Sequence, residues 1–284
     1  MNVSSLPIGL VRDMPASRYH SDPSVSNTML SAMNKSPAHC YALHLAPGRP
    51  MQQPSDAMLA GTLAHTAILE PEELALRYVA KPAGMRFSTK EGMAWRDQQT
   101  SQIITQDEMD TARSQRAAVL KVPALADLLS SGEPEASLFW NDPATGLRCR
   151  ARTDWLHWIG PNRVIALDIK TISDLTADNV RRAIATYGYH RQHAHYCNGL
   201  RACGIEVQEF AFGFVSSSYP FLAVAYLLDD ESMQQGREEV ADLLALYAYC
   251  NERNEWPAFG DGFQITSLPG WAKRISETEV DYVD

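Results

Sequence analysis

Two acidic residues and one lysine have types and spacing that could do chemistry together. In the run VIALDIKT (residues 164–171), Asp168 and Lys170 are two positions apart, so they share one face of the strand that the run predicts. Asp154 belongs to the preceding run LRCRARTDWLHW (residues 147–158), which also predicts a strand. Two carboxylates beside an ammonium are suited to holding a divalent cation against a phosphate, as in metal-assisted phosphodiester hydrolysis.

The turn between these two runs predicts which residues face each other. If Gly160-Pro161-Asn162 forms a three-residue hairpin loop, Ile159 pairs with Arg163 and Asp154 lies directly opposite Asp168. Cross-strand Cβ atoms are about 4.5–5.5 Å apart. Two carboxylates at that distance need a shared proton or a cation between them. A register shift of one residue would remove this arrangement.

A surface ion pair between Asp168 and Lys170 is the alternative interpretation, and the D-x-K pattern alone does not decide against it. A row of three arginines favours a nucleic-acid substrate. The arginines occupy alternate positions of one predicted strand, so they share the face of Asp154. Guanidinium groups suit contacts with backbone phosphates, although a solvated sheet face would carry the same row. The row consists of Arg148, Arg150 and Arg152.

Three strand-like runs separated by turns predict an antiparallel meander in the middle of the chain, at residues 135–140, 147–158 and 163–171. A helical stretch over 176–202, kinked near Gly188, is followed by two further strand-like runs, EFAFGFVSS and FLAVAYLL, and then by a helix over 230–253. The pattern therefore predicts an α/β fold, in which helices flank a mixed sheet that contains an antiparallel meander.

The first half of the chain is predicted to be mainly helical. Residues 55–69 indicate a buried helix that begins at Ser55 or Asp56, and residues 105–122 an amphipathic helix with a capping box of Thr105 and Glu108. Residues 81–96 are mixed, polar and interrupted by glycine, which favours a flexible loop.

The composition is that of a water-soluble globular protein. The chain has 284 residues, of which 45% are hydrophobic and 21% charged, enough for one large domain. We expect a single domain over 1–284, with an irregular arm at 1–18 and a flexible tail at 276–284. No apolar run approaches the ~20 residues of a membrane span. The first residues lack the pattern of a secretory signal, so a cytoplasmic location without membrane contact is expected.

Charge and cysteine content exclude some classes. A net charge of −9 argues against nonspecific coating of nucleic acid, but it leaves room for a local basic channel. The five cysteines include no C-x-x-C pair, so neither a zinc ribbon nor an iron–sulfur cluster is indicated.

Five short motifs follow one another in a characteristic order: G-x-x-x-H from Gly61 to His65, Glu135 at the start of a strand, Asp154 on the next strand, D-x-K at 168–170, and Q-x-x-x-Y from Gln192 to Tyr196. This order resembles the PD-(D/E)XK nucleases, which have a restriction-endonuclease-like core. More closely, it resembles their RecB-like branch and the nuclease domain of RecE-type exodeoxyribonuclease VIII. Flanking segments such as GTLAHTAILEPEEL and YGYHRQHAHY extend the likeness from about Tyr19 to Ile275.

The resemblance implies a role for most of these residues. His65 would be a metal ligand contributed by a helix, although a satisfied core histidine is the alternative. Asp154 and Asp168 would be the metal carboxylates, with the carbonyl of Ile169 as a further ligand. Lys170 would be the catalytic lysine, and it would face the attacking water and the phosphate rather than pair with Asp168.

The remaining residues have less specific implied roles. Glu135 would be a water-mediated metal ligand, or simply a charge at the end of a strand. Gln192 and Tyr196 lie one helical turn apart and would support the site or touch DNA, unless they belong to an ordinary helix face. Tyr189 and Arg191, together with the row of arginines, would contact DNA.

The function that the resemblance implies is a Mg²⁺-dependent exonuclease, with Mn²⁺ as a substitute and two ions in each site. It would digest linear double-stranded DNA from 5′ to 3′ without ATP and leave 3′ overhangs for recombination. A ring-shaped homo-oligomer, a RecT-type single-strand annealing protein as partner and a phage origin are also implied. Two alternatives remain: a structure-selective or single-strand endonuclease of the same superfamily, and a non-catalytic DNA-binding protein with a relic site.

Overall fold

The computed structural model describes residues 7–50, 53–260 and 262–269. Helices predominate in the first half of the chain. The elements there are β1 (Gly9–Val11), α1 (Ala16–Ser21), α2 (Asn27–Lys35), α3 (Pro37–Cys40), a π-helical turn (Tyr41–Leu45), α4 (Asp56–Leu69), α5 (Pro71–Arg77), β2 (Tyr78–Ala80), α6 (Lys90–Asp97), β3 (Gln102–Ile104), α7 (Gln106–Leu120) and α8 (Pro123–Leu128).

The second half contributes most of the strands and three long helices. Its elements are β4 (Glu133–Pro134), β5 (Ser137–Asn141), β6 (Arg148–Arg152), β7 (Trp155–Gly160), β8 (Arg163–Ile172), α9 (Ala177–Tyr187), α10 (Tyr189–Ala202), β9 (Glu206–Ser216), β10 (Ala223–Leu227) and α11 (Asp230–Arg253).

A five-stranded mixed sheet with the order β10-β9-β8-β7-β4 is the centre of the fold. Strand β8 pairs in parallel with β9 and antiparallel with β7. A parallel pair requires a crossover, which α9 and α10 provide. A second sheet has the order β1-β5-β6, and β2 pairs with β3 in a third. The predicted α/β class, with a mixed sheet between helices, is confirmed.

Both faces of β8 are covered, which fixes the direction of its side chains. Leu167 and Ile169 belong to one apolar cluster, with residues of α4, α7 and α8. Val164 and Ala166 belong to another, with residues of α10 and α11. Since side chains alternate along a strand, the later even-numbered positions of β8 also face α10. An acidic residue placed there is buried, and it needs a partner.

The predicted register of the hairpin is confirmed, but its predicted loop is wrong. Trp155 pairs with Leu167 and Trp158 with Val164, as the three-residue loop required. However, Gly160 rather than Ile159 pairs with Arg163, so the strand carries a bulge and only two residues form the connection.

The run 147–158 is two strands rather than one. Strand β6 pairs with β5 in the three-stranded sheet, whereas β7 pairs with β8 in the central sheet. The chain changes partners at Thr153 and Asp154: the amide of Thr153 donates to Ala136, and the carbonyl of Asp154 accepts from Glu135. The prediction that the three arginines share one strand face with Asp154 is therefore wrong, because alternation does not persist across the bend.

Most helix predictions are confirmed. The hydroxyl of Ser55 caps α4, Thr105 and Glu108 form the capping box of α7, and α11 spans the predicted residues 230–253. The stretch 176–202 is broken rather than kinked, because Gly188 adopts a left-handed φ of 70° between α9 and α10.

Two predicted irregular regions contain regular structure. The hydroxyl of Thr89 accepts from the amide of Gly92 and caps α6, which begins at Lys90. The loop predicted over 81–96 therefore ends before residue 90. Residues 9–11 form β1 and residue 16 starts α1, where an irregular arm was predicted. Residues 1–6 and the predicted tail at 276–284 lie outside the described residues. Among the described helices, none is long and apolar enough to cross a membrane.

Candidate functional site

Three side chains that can bind a metal converge at the end of the central sheet. His65 comes from α4, Glu135 from the link between β4 and β5, and Asp154 from the bend between β6 and β7. One ligand atom from each residue lies within 4.8 Å of the other two. The ring Nδ1 of His65 is 3.5 Å from the carboxylate Oδ2 of Asp154. These residues are far apart in the sequence, and only the fold brings them together.

The backbone of β8 holds two of these side chains. The amide of Ile169 donates to Oδ2 of Asp154 at 2.8 Å, and the ring of His65 hydrogen-bonds to the backbone of the same residue. Burial lowers the pKa of His65, although the charge of Asp168 opposes that shift. Neutral imidazole is the form that binds metals, so burial prepares this ring as a ligand.

Helix α4 reaches β8 at Gly61, one turn before His65. A Cβ at Gly61 would lie 3.8 Å from the hydroxyl of Thr171, which is an ordinary contact. A Cβ at position 61 would therefore fit without a clash. The relevant feature of the G-x-x-x-H motif is that α4 and β8 lie close together there.

Glu135 reaches the site through an unusual backbone. Its φ is +53°, in the left-handed region that side chains other than glycine rarely adopt. Its carboxylate lies 2.6 Å from the guanidinium Nε of Arg152. Burial, together with the charge of Asp154, raises the pKa of Glu135 to about 7 despite that arginine. A strained residue with a raised pKa is typical of a functional position.

The donor set fits a divalent cation. Burial and the neighbouring Asp168 carboxylate raise the pKa of Asp154, so the negative charges here are held close together without sufficient compensation. Carboxylate oxygens with one imidazole nitrogen suit Mg²⁺ or Mn²⁺. A bound ion would supply Lewis-acid stabilisation of a phosphate and a more acidic water molecule. His65, Glu135 and Asp154 would hold it.

Asp168 lies beside this group rather than within it. It is 2% exposed, its Oδ1 accepts from the amide of Gln192, and its Oδ2 lies 2.5 Å from Nζ of Lys170. The prediction that Asp168 and Lys170 do not pair is wrong, because a buried ammonium needs a counter-charge and Asp168 is the nearest one.

Lys170 is a charged group between the acids and an aromatic ring. Burial alone would lower its pKa, but the charges of Asp168 and Asp154 raise the pKa above its ordinary value. Its Nζ lies 4.7 Å from the ring centre of Tyr189, within cation–π range. The chain therefore holds a positive charge against Asp168, the carboxylate beside the metal-binding group.

Gln192 and Tyr196 both face this side of β8. Gln192 is 6% exposed and holds Asp168. Burial raises the pKa of Tyr196 well above its ordinary value, and its ring packs edge-on against Phe210. Both residues, with Lys170, line a cavity of about 410 Å³ that the N-terminal helices close from the other side.

The three arginines of β6 make internal contacts. Arg150 is buried and donates to the carbonyls of Tyr19 and Asp22, while Arg148 donates to the hydroxyl of Ser24. Arg152 donates to Met14 as well as pairing with Glu135. These bonds attach the N-terminal segment to the second sheet, and contact with DNA by these residues stays a prediction.

The other two residues predicted to contact DNA are also in internal contacts. Arg191 is 7% exposed and donates to the carboxylate of Glu239 at 2.6 Å. Tyr189 is half-buried, and its ring stacks on Phe212 at 5.9 Å. The sequence offered no signal for the Glu239 pairing, because that contact joins residues 48 positions apart.

The N-terminal segment forms a wall of the site that no sequence pattern indicated. The ring of Tyr19 lies beneath the guanidinium groups of Arg150 and Arg152, 5.0 Å and 5.6 Å from their central carbons. No local pattern marks Tyr19 as part of a site, since its partners are more than 100 residues away.

Comparison with known proteins identifies a family and a similar fold. The model of a family described as "PDDEXK-like domain of unknown function (DUF3799)" matches residues 26–267. A crystal structure of a provisionally named exonuclease from Eubacterium rectale is similar in fold, with a TM-score of 0.59 and 14% identity over 86% of this chain and 88% of that chain. The structure of SSO0001 aligns with a TM-score of only 0.27 and 13% identity over 66% and 86% of the two chains.

No curated protein matches the sequence significantly. The family match, by contrast, spans most of the chain, and it includes all five motifs and every residue of the metal-binding group. The chain is thus a member of the PDDEXK-like family, within the PD-(D/E)XK nuclease superfamily.

Proposed function

We propose that the protein is a metal-dependent exonuclease that acts on linear double-stranded DNA. The observation that carries the proposal is the convergence of His65, Glu135 and Asp154 beside the Asp168–Lys170 pair, in a chain of the PD-(D/E)XK superfamily. A metal-binding group next to a buried ammonium is the arrangement that phosphodiester hydrolysis needs.

Each of these residues has a place in the proposed reaction. Lys170 lies where it can orient a water molecule and offset the charge that develops on the phosphate. Asp168 holds that ammonium, and Gln192 holds Asp168. The bond that breaks is the P–O bond to the leaving sugar oxygen, and the attacking water gives its oxygen to the phosphate. Mg²⁺, replaceable by Mn²⁺, is the proposed cofactor, with two ions in each site.

The direction of digestion, 5′ to 3′ without ATP, follows from the resemblance to the RecE-type nuclease domain. The same resemblance supports a single nuclease domain, a ring-shaped homo-oligomer that encircles DNA, and a role beside a RecT-type annealing protein in recombination. The E. rectale protein is named for the same kind of activity, but its likeness to this chain concerns the fold.

Digestion of linear duplex DNA labelled separately at its 5′ and 3′ ends tests the proposal. With Mg²⁺, the 5′ label should be released first, whereas the 3′ label should stay on a strand that shortens from its other end, and EDTA should stop both events. A covalently closed circle of the same sequence should stay intact. Cleavage of the circle would identify an endonuclease, and the absence of any metal-dependent cleavage would leave a DNA-binding protein.

A further inference from the structure

A second cleft lies near Lys170 and is bounded by helices from both halves of the chain. It has a volume of about 600 Å³ and lies between α4 and α7 on one side and α9 on the other. Thr171, the residue after Lys170, lines it, as does Tyr189, which contacts the lysine. The cleft therefore adjoins the surroundings of Lys170 without being lined by the metal-binding group, and its volume is in the range of ligand-binding pockets, about 300–1,000 Å³.

One face of α9 forms the wall of this cleft. The lining residues recur at intervals of three and four, so they share one side of the helix. Apart from one alanine, all of them carry groups that can contact a nucleotide. They are Asn179, Arg182, Ala183, Thr186 and Tyr187.

Tyr187 is the exposed end of a set of nearly parallel rings. Its side chain is 62% exposed, and it stacks on Tyr189 at 5.8 Å with an angle of 27°. Tyr189 in turn lies 5.9 Å from Phe212 at 25°, and Phe212 is completely buried. The core thus holds the ring of Tyr187 in place beside the cleft, which is what a stacking platform requires.

The charges across the cleft indicate how a strand would lie in it. Arg182 is exposed and has no ion pair among the described residues, whereas Asp107 and Glu108 line the facing wall on α7. A phosphate is attracted to the α9 wall and repelled by the α7 wall. A base carries no charge, and it can occupy the space between them against Tyr187.

We propose that this cleft binds an unpaired nucleotide of a DNA strand, with its base stacked on Tyr187 and its phosphate against Arg182. The inference rests on the proposed function for the identity of the strand. Stacking on a ring is tolerant of sequence, so the cleft can hold any base as the substrate end is processed.

Binding of two single-stranded probes in EDTA tests this proposal without any cleavage. One is an oligothymidylate of about 12 nucleotides, and the other is an abasic oligomer of the same length and charge, both followed by fluorescence anisotropy. Stacking of one base is worth about 5-fold to 150-fold in affinity. The unaltered protein should bind oligothymidylate at least about 5-fold more tightly than the abasic oligomer. Tyr187→Ala should abolish this preference, whereas Tyr187→Trp should keep it.

Two further variants separate stacking from charge. Arg182→Gln should weaken the binding of both probes equally and reduce the salt dependence of binding by about one counterion. Tyr249→Ala, which removes a tyrosine that is 52% exposed on α11, should change nothing. A base preference that survives in Tyr187→Ala, or is absent from the unaltered protein, would overturn the inference. Because the assay contains no metal, this failure is distinct from a failure to digest duplex DNA.

Discussion

The side-chain amide of Gln192 in α10 donates to Oδ1 of Asp168 in β8, so a helix holds the carboxylate that pairs with Lys170. Replacing Gln192 with Leu would keep the volume and remove the donor. Gln192 orients a carboxylate beside the metal-binding group, and outer partners of a metal site typically contribute about 10–100-fold to metal affinity or activity, so we expect a loss of about that size. The measurement is the rate of digestion as a function of Mg²⁺ concentration. The control is Gln234→Leu, at an exposed position of α11. An unchanged Mg²⁺ requirement would contradict the role assigned to Gln192.

Lys170→Met should abolish most of the digestion of linear duplex. The variant removes the charge proposed to offset the developing charge on the phosphate, and loss of one such stabilising group typically costs about 10²–10³-fold in rate. The rate under saturating Mg²⁺ is the measurement, and Lys121→Met, at an exposed position after α7, is the control. Folding must be verified by thermal unfolding, since the variant leaves Asp168 without its counter-charge. A folded variant with full activity would show that Lys170 is not catalytic.

Asp154→Asn should stabilise the metal-free protein and remove its response to metal. The substitution relieves the repulsion that raises the pKa of Asp154, and the side-chain oxygen of Asn can still accept from Ile169. The melting temperature in EDTA should therefore rise by a few degrees, since each kcal/mol of added stability raises it by roughly 2–4 °C. Mg²⁺ at about 100 times its dissociation constant should stabilise the unaltered protein by about 2.7 kcal/mol and the variant far less. If Mg²⁺ stabilised both proteins equally, the ion would bind elsewhere.

Gly188→Ala should cost more stability than Gly146→Ala, although both glycines have a φ of 70°. A Cβ at Gly188 would lie 2.2 Å from the guanidinium of Arg191, whereas a Cβ at Gly146 meets nothing within 4 Å. The backbone strain is common to both and amounts to roughly 1 kcal/mol. The excess at Gly188 comes from displacing Arg191 from Glu239. Chemical denaturation of the two variants measures the difference, and equal losses would show that the guanidinium moves aside freely.

The two histidines that are buried in their neutral form should each contribute a loss of stability as the pH drops from about 6.5 to about 4, whereas the raised pKa values of Glu135 and Asp154 contribute in the opposite direction. Burial lowers the pKa of His193 and of His195 to about 4. The unfolded chain, with a histidine pKa of about 6.5, binds protons in that window that the folded chain does not, so acid favours unfolding. Each histidine contributes up to about 3 kcal/mol at about 1.4 kcal/mol per pKa unit.

His195→Phe tests this directly. The variant should be less stable at pH 7, since it loses the hydrogen bond to the carbonyl of Arg150. Its loss of melting temperature between pH 7 and pH 5 should nevertheless be smaller than in the unaltered protein. If both proteins lose the same amount, His195 does not titrate in this range.

The elements with strong local signals were predictable. The capping box of α7 and the cap of α4 are set by side chains within three residues, and both helices begin where the sequence indicates. The hairpin register was predictable because apolar alternation and turn residues agreed over β7 and β8. The resemblance predicted His65, Asp154, Asp168 and the carbonyl of Ile169 as metal ligands, with Glu135 as a less direct one. The fold brings His65, Glu135 and Asp154 together, whereas Asp168 pairs with Lys170.

The misses share a physical cause, which is that local pattern does not encode tertiary partners. The alternation of residues 147–158 continues through Thr153 and Asp154, although the backbone there leaves one sheet for another. The arginines of β6 look like a basic row, but Tyr19 and the carbonyls near it bind them from more than 100 residues away. Only the folded chain shows these contacts.

The parallel pairing of β8 with β9 has a consequence for the order of events during synthesis. A nascent chain that ends at Ile172 already carries His65 and all the acidic residues of the site, yet it lacks the strand that borders β8 and the helix that supplies Gln192. Parallel pairs form only after their crossover is complete. The ribosome must therefore release residues 206–216 before β8 acquires its parallel neighbour, and the crossover helix before Asp168 acquires its hydrogen-bond donor.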